Sequence, residues 1–284
     1  MLSKKMQRIL TCLRENILIR SFYCPVYYLK QVVVSCMYQK SDYSKYIKSH
    51  KEKHKGQRCF IIGNGPSLTP EDLDQLKREN CFGTNRIYCM FDRTEWRPTY
   101  FMSFDMNVLA RESKNIENAD LAHRFINIDA KRRFRDRSIQ IYYIFFKGKF
   151  CVNKHTVIQT GVSRDVSRYF SLTNTITCTC IEFALYMGFT TIYLLGVDHA
   201  YSLTRDLQGR IHQDTSIKTY FSGMKGGEDV AIQSTDHVAE SYKVCRRYAE
   251  EHGVQIYNAT RGGKLEVFER VDFDELWEGI QHEN

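Results

Sequence analysis

Residues 58–68 read RCFIIGNGPSL. The apolar run at 59–62 is short and unbroken, which is typical of a strand buried on both faces of a parallel sheet. Residues 69–73 then read TPEDL, with a threonine cap, a proline at the first helical position and acidic residues in the first turn. The stretch therefore predicts a buried strand, a glycine-rich turn and a helix.

The same alternation continues along the chain. Helices are expected over residues 174–187 and 234–252. Further strands are expected over these segments: 81–85, 100–105, 125–128, 139–145, 191–196 and 254–257. Strands that alternate with helices of this length predict right-handed crossovers within one sheet. We therefore expect an α/β fold with a Rossmann-like, mostly parallel sheet and helices on both faces.

The distribution of charge divides the chain into two regions. Residues 1–55 hold 12 Lys or Arg and three Asp or Glu, which leaves 29 and 30 of the totals of 41 and 33 for the remainder. We predict a basic amphipathic N-terminal arm and linker over residues 1–56, and a nucleotide-binding catalytic domain over residues 57–284. Residues 199–232 are polar, and a long stretch of this kind within a compact domain predicts a lid-like insertion.

The arm combines basic residues with aliphatic and aromatic ones, which suits an anionic membrane surface. A helix packed on the body and a dimer contact, which would make the protein an oligomer, are the alternatives. The near-neutral body argues against a nucleic-acid partner, since phosphate neutralisation needs a basic face. The ten cysteines include no C-x-x-C pair and are interpreted as reduced. We therefore expect a cytoplasmic protein, peripheral at the inner face of the plasma membrane if the arm binds lipid.

The turn after the first predicted strand is the strongest candidate for a ligand site. Glycines let backbone N–H groups approach an anion, and the positive end of the following helix adds to the attraction. In an open α/β sheet the ligand crevice lies at the carboxyl ends of the strands, where this turn falls. The predicted donor-binding loop comprises Gly63, Asn64, Gly65, Pro66 and Ser67. The alternative is a tight turn that binds no ligand.

Polar residues follow other predicted strands, and they face the same crevice if those strands are neighbours. Asn85 and Arg86 follow the second strand, where Asn85 would bond a ribose or a base. Asp105 ends the third strand and would hold a hydroxyl group or a metal, and Asp198 follows a later strand and would bind a substrate. Each of these residues is alternatively an ordinary cap of its turn or helix.

Two Asp-x-Asp pairs have the spacing that many sugar-nucleotide transferases use to hold a metal. The pair at 72–74 lies in the first predicted helix, where its two acids point apart, and the pair at 272–274 is better suited to starting a final helix. We therefore expect no metal site. Metal-independent chemistry requires protein groups, such as the hydroxyl of Tyr201, to neutralise the leaving phosphate.

A general base is needed if an acceptor hydroxyl attacks the donor. The candidates in the C-terminal half are His199, His212 and His237. Each of them is alternatively a structural or surface histidine. His237 is favoured because it opens the helix that follows the predicted lid.

Several of these motifs together are similar to known proteins. The string GNGPSL at 63–68, the asparagine Asn85, and the helix, strand and Gly-Val-Asp turn within 174–200 resemble the single-domain bacterial sialyltransferases that use CMP-sialic acid. Over about residues 57–277, including WRPTY at 96–100, the chain resembles a domain family found among polysaccharide-synthesis proteins. That family is named after an archaeal 6-hydroxymethylpterin diphosphokinase, and it is related to motility accessory factors that act in flagellin glycosylation.

The resemblance to the sialyltransferases implies that Asn64, Gly65, Ser67 and Asn85 contact the nucleotide. It also implies an inverting, metal-independent transfer with a histidine base on the lid side. The Thr-Ser-Gly that precedes the late helix of those enzymes falls on residues 175–177, and with it we place Thr175 and Thr177 in the donor site.

The chain departs from the sialyltransferase pattern at the catalytic positions. The base of that family falls on Asp236, one residue before His237. Its two phosphate-binding tyrosines fall on Ala200 and Thr204, although Tyr201 is adjacent. The fold and the nucleotide site therefore carry over better than the catalytic residues.

Three functional hypotheses follow from the sequence. The first is a glycosyltransferase that moves a sugar from a nucleotide donor, a CMP-linked sialic or other nonulosonic acid being favoured, to a glycan or lipid-linked acceptor in capsule or surface-polysaccharide synthesis. The second is a pterin diphosphokinase that uses ATP and Mg²⁺, for which clustered acids near the phosphates would be expected. The third is a non-catalytic partner that keeps a degenerate nucleotide pocket.

Overall fold

The computed structural model describes residues 29, 31–136, 138–147, 161–206, 210–221, 232 and 234–277. The strands within these residues are β1 (Arg58–Ile62), β2 (Cys81–Thr84), β3 (Tyr100–Ser103), β4 (Arg124–Asn127), β5 (Ile141–Ile144), β6 (Phe146–Lys147), β7 (Phe170–Ser171), β8 (Thr191–Leu195), β9 (Leu203–Arg205), β10 (Ile211–Gln213), β11 (Gln255–Asn258) and β12 (Glu269–Arg270). The α-helices are α1 (Asp42–Lys48), α2 (Pro70–Gln75), α3 (Met106–Asn118), α4 (Ile176–Tyr186) and α5 (Thr235–Glu251). Residues 31–39 are also helical, and short 3₁₀ helices span Ile87–Met90, Ile128–Arg133 and Asp274–Trp277.

Eight of the strands form one sheet in the order β12-β11-β8-β1-β2-β3-β4-β5. Every neighbouring pair in this sheet is parallel. β1 lies at the centre, where Phe60 is paired with Tyr193 of β8 on one side and with Cys81 of β2 on the other. The α/β, Rossmann-like sheet predicted from the sequence is confirmed.

Helices cover both faces of the sheet, as predicted. Alternate side chains of β1 enter two hydrophobic cores, because successive residues of a strand point to opposite faces. Cys59 and Ile61 belong to the core beneath α1, α4 and α5, and Phe60 and Ile62 belong to the core beneath α2 and α3. α4 is buried along nearly all of its length, which explains why its sequence ITCTCIEFALY is apolar on every side.

The part of the N-terminal arm that the structure describes packs on the body. Ile47 is fully buried in the core, and the hydroxyl of Tyr38 donates to the carbonyl of Tyr143. The amide of Glu52 donates to the carbonyl of Tyr186, the last residue of α4, at 3.1 Å. The amide of His54 donates to the carbonyl of the next residue, Met187, at 2.9 Å. Residues 52–56 of the predicted arm and linker therefore close one end of α4. Residues 1–28 lie outside the described residues.

The predicted lid is partly regular. β9 and β10 form an antiparallel hairpin in which Asp206 binds Arg210 and His212, at 2.8 and 3.0 Å. The segment then returns to the body, where the side chain of Phe221 is buried and its amide donates to the carbonyl of Asn64. The expectation of an irregular stretch is corrected for the described residues 199–206 and 210–221, and the rest of the predicted lid lies outside them apart from Ile232.

The described helices include none that is long and apolar enough to span a membrane. The described cysteines are all free thiols.

Candidate active site

The order in which strands are added to the sheet reverses between β1 and β8. From β1 the chain proceeds outward through β2, β3, β4 and β5, and then returns to β8 on the other side of β1 before continuing to β11 and β12. Such a reversal opens a crevice at the carboxyl ends of the two central strands, because the connections leave in opposite directions. The loop at 63–67 and the turn at 196–198 flank this crevice.

A polar cavity of about 160 Å³ lies in the crevice. Its walls come from the ends of β1, β2, β3 and β8, from the start of α4, from the predicted lid and from α5. The lining residues are 63–65, 84–85, 104–105, 174–177, 196–201, 219–220 and Tyr242.

Gly63 and Gly65 hold the two central loops together. Their amides donate to the carbonyls of Leu195 and Gly196, both at 2.8 Å. A Cβ atom on Gly63 would overlap the carbonyl oxygen of Gly196, and one on Gly65 would overlap Oδ2 of Asp198. The prediction that these two amides face an anion is therefore wrong, because both are bonded to the β8 loop. Both glycines still line the cavity.

Asn64 is the residue of this loop whose side chain has an unused polar atom. Its Nδ2 donates to the carbonyl and to Oγ1 of Thr84, at 3.0 and 2.9 Å. Its Oδ1 is buried and has no partner among the described residues. The amide is thereby oriented, and Asn64 contributes an acceptor to the lining of the cavity.

Pro66, Ser67 and Asp198 have a different role. Pro66 and Ser67 are not among the lining residues. The hydroxyl of Ser67 donates to Oδ2 of Asp198 at 2.7 Å, and the carbonyl of Asp198 accepts from the amide of Lys264. Burial raises the pKa of Asp198, and its bonds to Ser67 oppose that shift. Asp198 lines the cavity, but the bond from its carboxylate to Ser67 ties the turn after β8 to the loop after β1, as the capping alternative expected.

The helix that opens towards the cavity is α4 and not α2. The start of α2 is closed by a capping box between Thr69 and Asp72, and Asp72 also binds Arg261 at 2.6 Å. The expectation that the dipole of α2 serves the ligand is therefore corrected. Residues 174–177, which form the start of α4, all line the cavity, so the positive end of this helix faces it.

Thr175 and Thr177 lie at this end of α4, where the resemblance placed them. Thr175 is the N-cap, and its hydroxyl accepts from the amide of Thr177 at 3.4 Å. Asn174 precedes the cap and donates to the hydroxyl of Ser241 on α5 at 2.9 Å. The start of α4 is thus fixed against α5.

The predicted residues after β2 and β3 separate into two groups. Asn85 lines the cavity and has a left-handed backbone with φ of 49°, while its Oδ1 accepts from Ser103 at 3.0 Å. Asp105 also lines the cavity, but its carboxylate caps α3 by accepting from the amide of Asn107 at 2.7 Å. Arg86 is not among the lining residues, and its Nε lies 3.3 Å from Oε1 of Glu112. Its predicted place in the donor site is corrected, because Glu112 holds its guanidinium outside the cavity lining.

His199 is the histidine that lies in the cavity wall. Its backbone is left-handed with φ of 51°, and its Nδ1 is buried without a partner among the described residues. Burial lowers the pKa of His199, and the nearby carboxylate of Asp236 opposes that shift. The ring packs edge-on against Tyr201 and Tyr242. His199 is therefore a neutral imidazole at neutral pH, as a general base must be.

His237, which the sequence favoured as the base, is not among the lining residues. Its Nδ1 is 2.6 Å from the hydroxyl of Ser234, in the first turn of α5. His212 lies on the hairpin and binds Asp206. His237 as the base stays a prediction, since its Nδ1 is engaged with Ser234 and its ring lies outside the cavity lining.

Two tyrosines of the predicted lid line the cavity. Tyr201 was a predicted site residue, and Tyr220 lies beside it. Burial raises the pKa of both phenols, and their mutual proximity raises that of Tyr201 further. Both hydroxyls therefore stay protonated and can donate hydrogen bonds. Tyr242 is a lining residue that the sequence analysis missed, although its spacing from Val238 and Cys245 on α5 marks a buried face.

Among the described residues, no group of three or more His, Cys, Asp or Glu side chains is placed to hold a metal ion.

Comparison with solved structures finds several proteins of similar fold. The MAf glycosyltransferase from Magnetospirillum magneticum AMB-1 matches with a TM-score of 0.46 and 14% identity over 82% of this chain, and this chain spans 38% of that one. The sialyltransferase CstII from Campylobacter jejuni matches with a TM-score of 0.43 and 13% identity, over 76% of this chain and 85% of that one. The monofunctional α-2,3-sialyltransferase Cst-I from the same organism matches with a TM-score of 0.38 and 17% identity, over 72% and 75%. Identities this low do not transfer an activity.

No curated protein matches the sequence. A family model does: the model described as 6-hydroxymethylpterin diphosphokinase MptE-like matches residues 35–204. The match spans 170 of the 284 residues, from the helical segment at 31–39 to β9, and it includes the central loops at 63–67 and 196–198. The chain therefore belongs to the 6-hydroxymethylpterin diphosphokinase MptE-like family.

Proposed function

We propose that the protein is a glycosyltransferase that takes a sugar from a nucleotide-activated donor, with a CMP-linked nonulosonic acid as the favoured donor, in the synthesis of a surface glycan. The observation that carries the proposal is the cavity at the switch point of the sheet. It combines the open end of a buried helix, two protonated tyrosine hydroxyls and a neutral histidine.

The donor phosphate would lie at the start of α4. The first turn of a helix has N–H groups without helical partners, and these together with the dipole favour an anion. The hydroxyls of Tyr201 and Tyr220 can donate to the same phosphate as negative charge develops on it. These protein groups would neutralise the leaving nucleotide.

The nucleoside would lie towards Asn64 and Asn85. The unpartnered Oδ1 of Asn64 can accept from an exocyclic amine or a ribose hydroxyl, and leaving a buried acceptor without a partner costs about 1–3 kcal/mol. A ligand that donates to this atom recovers that cost. The cavity of about 160 Å³ is smaller than the roughly 300–1,000 Å³ of typical ligand sites. We therefore expect the lid tyrosines to move when a nucleotide sugar binds.

His199 would act as the general base. The acceptor hydroxyl gives its proton to the neutral imidazole while its oxygen forms a bond to the anomeric carbon of the donor. The bond from that carbon to the phosphate oxygen breaks, and the nucleotide leaves with the electron pair. Asp236 would stabilise the imidazolium that forms, since its carboxylate already acts on this ring.

A thermal-shift panel tests the proposal. CMP, CDP, UDP, GDP and ATP would each be added with Mg²⁺ and, separately, with EDTA. A ligand present at 1,000 times its dissociation constant stabilises a protein by about 4 kcal/mol. We expect stabilisation by CMP in EDTA, and failure of all five nucleotides to raise the melting temperature would reject a nucleotide-dependent enzyme.

Diphosphate transfer from ATP is the second candidate, and membership of the MptE-like family favours it. This chemistry would use Mg²⁺ to bridge the phosphates. The same panel separates the two candidates, because ATP would then stabilise the protein in the presence of Mg²⁺ while CMP would not.

A further inference from the structure

A second cleft adjoins the donor cavity at His199. Its volume is about 550 Å³, and it runs between α5 and the segment 264–267 that precedes β12. His199 is common to the lining of this cleft and of the donor cavity. His199, the base of the proposed reaction, therefore lines both the donor cavity and the second cleft.

The second cleft is positively charged. Four basic residues and two acidic residues line it, a net charge of +2: Lys243, Arg246, Arg247, Lys264, Glu250 and Glu266. Both acids are already paired, because Glu250 binds Arg246 at 2.7 Å and Glu266 binds Arg270 at 2.8 Å. Lys243 binds Glu240 at 2.7 Å, whereas Arg247 forms no ion pair with a described residue. The cleft therefore presents basic groups that a bound anion could satisfy.

We propose that this cleft is the acceptor site and that it selects an acceptor carrying a negative charge near the reacting hydroxyl. The inference rests on the proposed function, since it takes His199 as the base and the neighbouring cavity as the donor site. Arg247 and Lys264 bind the anionic group, and the acceptor hydroxyl reaches His199 in the lining of the cleft. The cleft is open to solvent, so a long glycan or a lipid-linked chain can extend outward.

Two kinds of acceptor carry a negative charge of this type. Carboxylates of an acidic glycan and the phosphate of a lipid-linked sugar both pair with Lys and Arg, and Arg binds either group through two parallel hydrogen bonds. Calorimetric titration distinguishes them with three probes: a hexuronic acid tetrasaccharide, an octyl-phosphate-linked monosaccharide and a neutral tetrasaccharide. We expect at least one anionic probe to bind and the neutral probe to bind at least tenfold more weakly.

The double variant Arg247→Gln/Lys264→Gln tests the residues. We expect it to bind the anionic probe at least tenfold more weakly than wild type and to keep the thermal shift with CMP. The matched control is Lys48→Gln/Lys51→Gln, which removes two exposed charges near α1, beside β5 at the other end of the sheet. The control should bind the probe as wild type does.

Equal binding of the anionic probe by wild type and Arg247→Gln/Lys264→Gln would overturn the acceptor site. Equal binding of anionic and neutral probes by wild type would also overturn it, and so would the failure of wild type to bind either anionic probe. These outcomes leave the proposed function standing if CMP still stabilises the protein. If no nucleotide stabilises wild type, the proposed function fails and the acceptor site fails with it.

Discussion

At the scale of single residues, the glycines of the central loop show how one sequence pattern can serve two purposes. Gly63 and Gly65 were predicted to expose amides to an anion, yet both amides bond the β8 loop. Glycine is required here because the carbonyl of Gly196 and the carboxylate of Asp198 occupy the space of a side chain. The pattern correctly indicated a close approach, but the partner is the protein's own backbone.

Replacing Gly65 with alanine tests this explanation. The new methyl group would overlap Oδ2 of Asp198 and lie 2.7 Å from the carbonyl oxygen of Gly196, so the two loops must separate. We expect Gly65→Ala to lower the free energy of unfolding by roughly 2–4 kcal/mol in urea denaturation. Gly161→Ala is the control, since nothing lies within 4 Å of its Cβ position. Similar stability of the two variants would contradict the packing role.

His199 and His237 are the two candidates for the general base that substitutions can distinguish. We expect His199→Asn to reduce sugar transfer by about 10²–10⁴-fold, the usual range for a general base, with CMP binding kept. His237→Asn should reduce transfer less than threefold, because His237 is outside the cavity lining. Steady-state transfer rates check both, and a larger loss in the His237 variant would contradict the assignment.

The pH dependence of transfer follows from the lowered pKa of His199. The imidazole must be neutral to accept a proton, and burial lowers its pKa below the usual value of 6.5. The rate of single-turnover transfer should therefore fall as the pH is lowered, with a midpoint below pH 6.5. A midpoint above that value would be inconsistent with a buried neutral base.

At the scale of secondary-structure elements, α4 depends on one buried acid. Glu182 is fully buried, and its carboxylate accepts from the amides of Ser163 and Ser171. These bonds attach the segment 161–171 to the helix whose start lines the cavity. Removing the acceptor leaves buried amides unpaired, so Glu182→Ala should lose roughly 2–5 kcal/mol of unfolding free energy. Glu182→Gln keeps one acceptor oxygen and should lose less in the same urea titration.

Glu182 also predicts a pH dependence of stability. Burial raises its pKa from 4.5 to about 7, so the folded state binds more protons than the unfolded state between these values. The unfolding free energy should therefore decrease as pH rises from about 4.5 to 7, by up to roughly 3 kcal/mol from this group. Urea midpoints of wild type and Glu182→Gln measure the contribution, because the glutamine variant should show a flatter profile. Parallel profiles would contradict the raised pKa.

The elements differ in how well the sequence predicted them. β1 and β8 are short, mostly apolar runs that end at glycine turns, and β11 alternates an exposed Gln255 with a buried Ile256; these signals were sufficient to predict the three strands. α3 was missed because few of its residues are apolar, with Leu109 and Ile116 fully buried, and because its cap Asp105 was interpreted as a ligand. β12 has two exposed residues, so hydrophobic periodicity cannot reveal it.

At the scale of the whole molecule, the site is assembled from segments that are distant in the sequence. The site brings together Asn64, Thr177, His199 and Tyr242, because the strand order reverses between β1 and β8. The sequence could predict the residues at strand ends, since parallel strands share one carboxyl edge. It could not predict which helix opens into the crevice, because that depends on how α4 and α5 pack.

We propose that the helical segment at 31–39 contacts the membrane surface. Large apolar side chains spaced three and four residues apart are exposed on one side of the segment, with Leu29 at 66% and Met37 at 70%. The surplus of nine basic charges in residues 1–55 complements an anionic lipid surface.

Flotation with liposomes containing phosphatidylserine tests the arm. We expect wild type to float and Val33→Ser/Met37→Ser to remain at the bottom of the gradient, since the apolar contact is lost. Ile211→Ser removes an exposed apolar side chain from the hairpin and is the control. Equal flotation of all three proteins would exclude this face of the segment as the membrane contact.

We propose that the crevice between β1 and β8 binds the nucleotide of the donor. Calorimetric titration of CMP in EDTA, with wild type and Asn64→Asp, tests it most directly. We expect one site in wild type and at least tenfold weaker binding in the variant, because a carboxylate at residue 64 cannot donate to Thr84 and so loses the orientation that presents its acceptor oxygen to the nucleoside. Equal affinity in both proteins, or no binding of CMP by wild type, would contradict it.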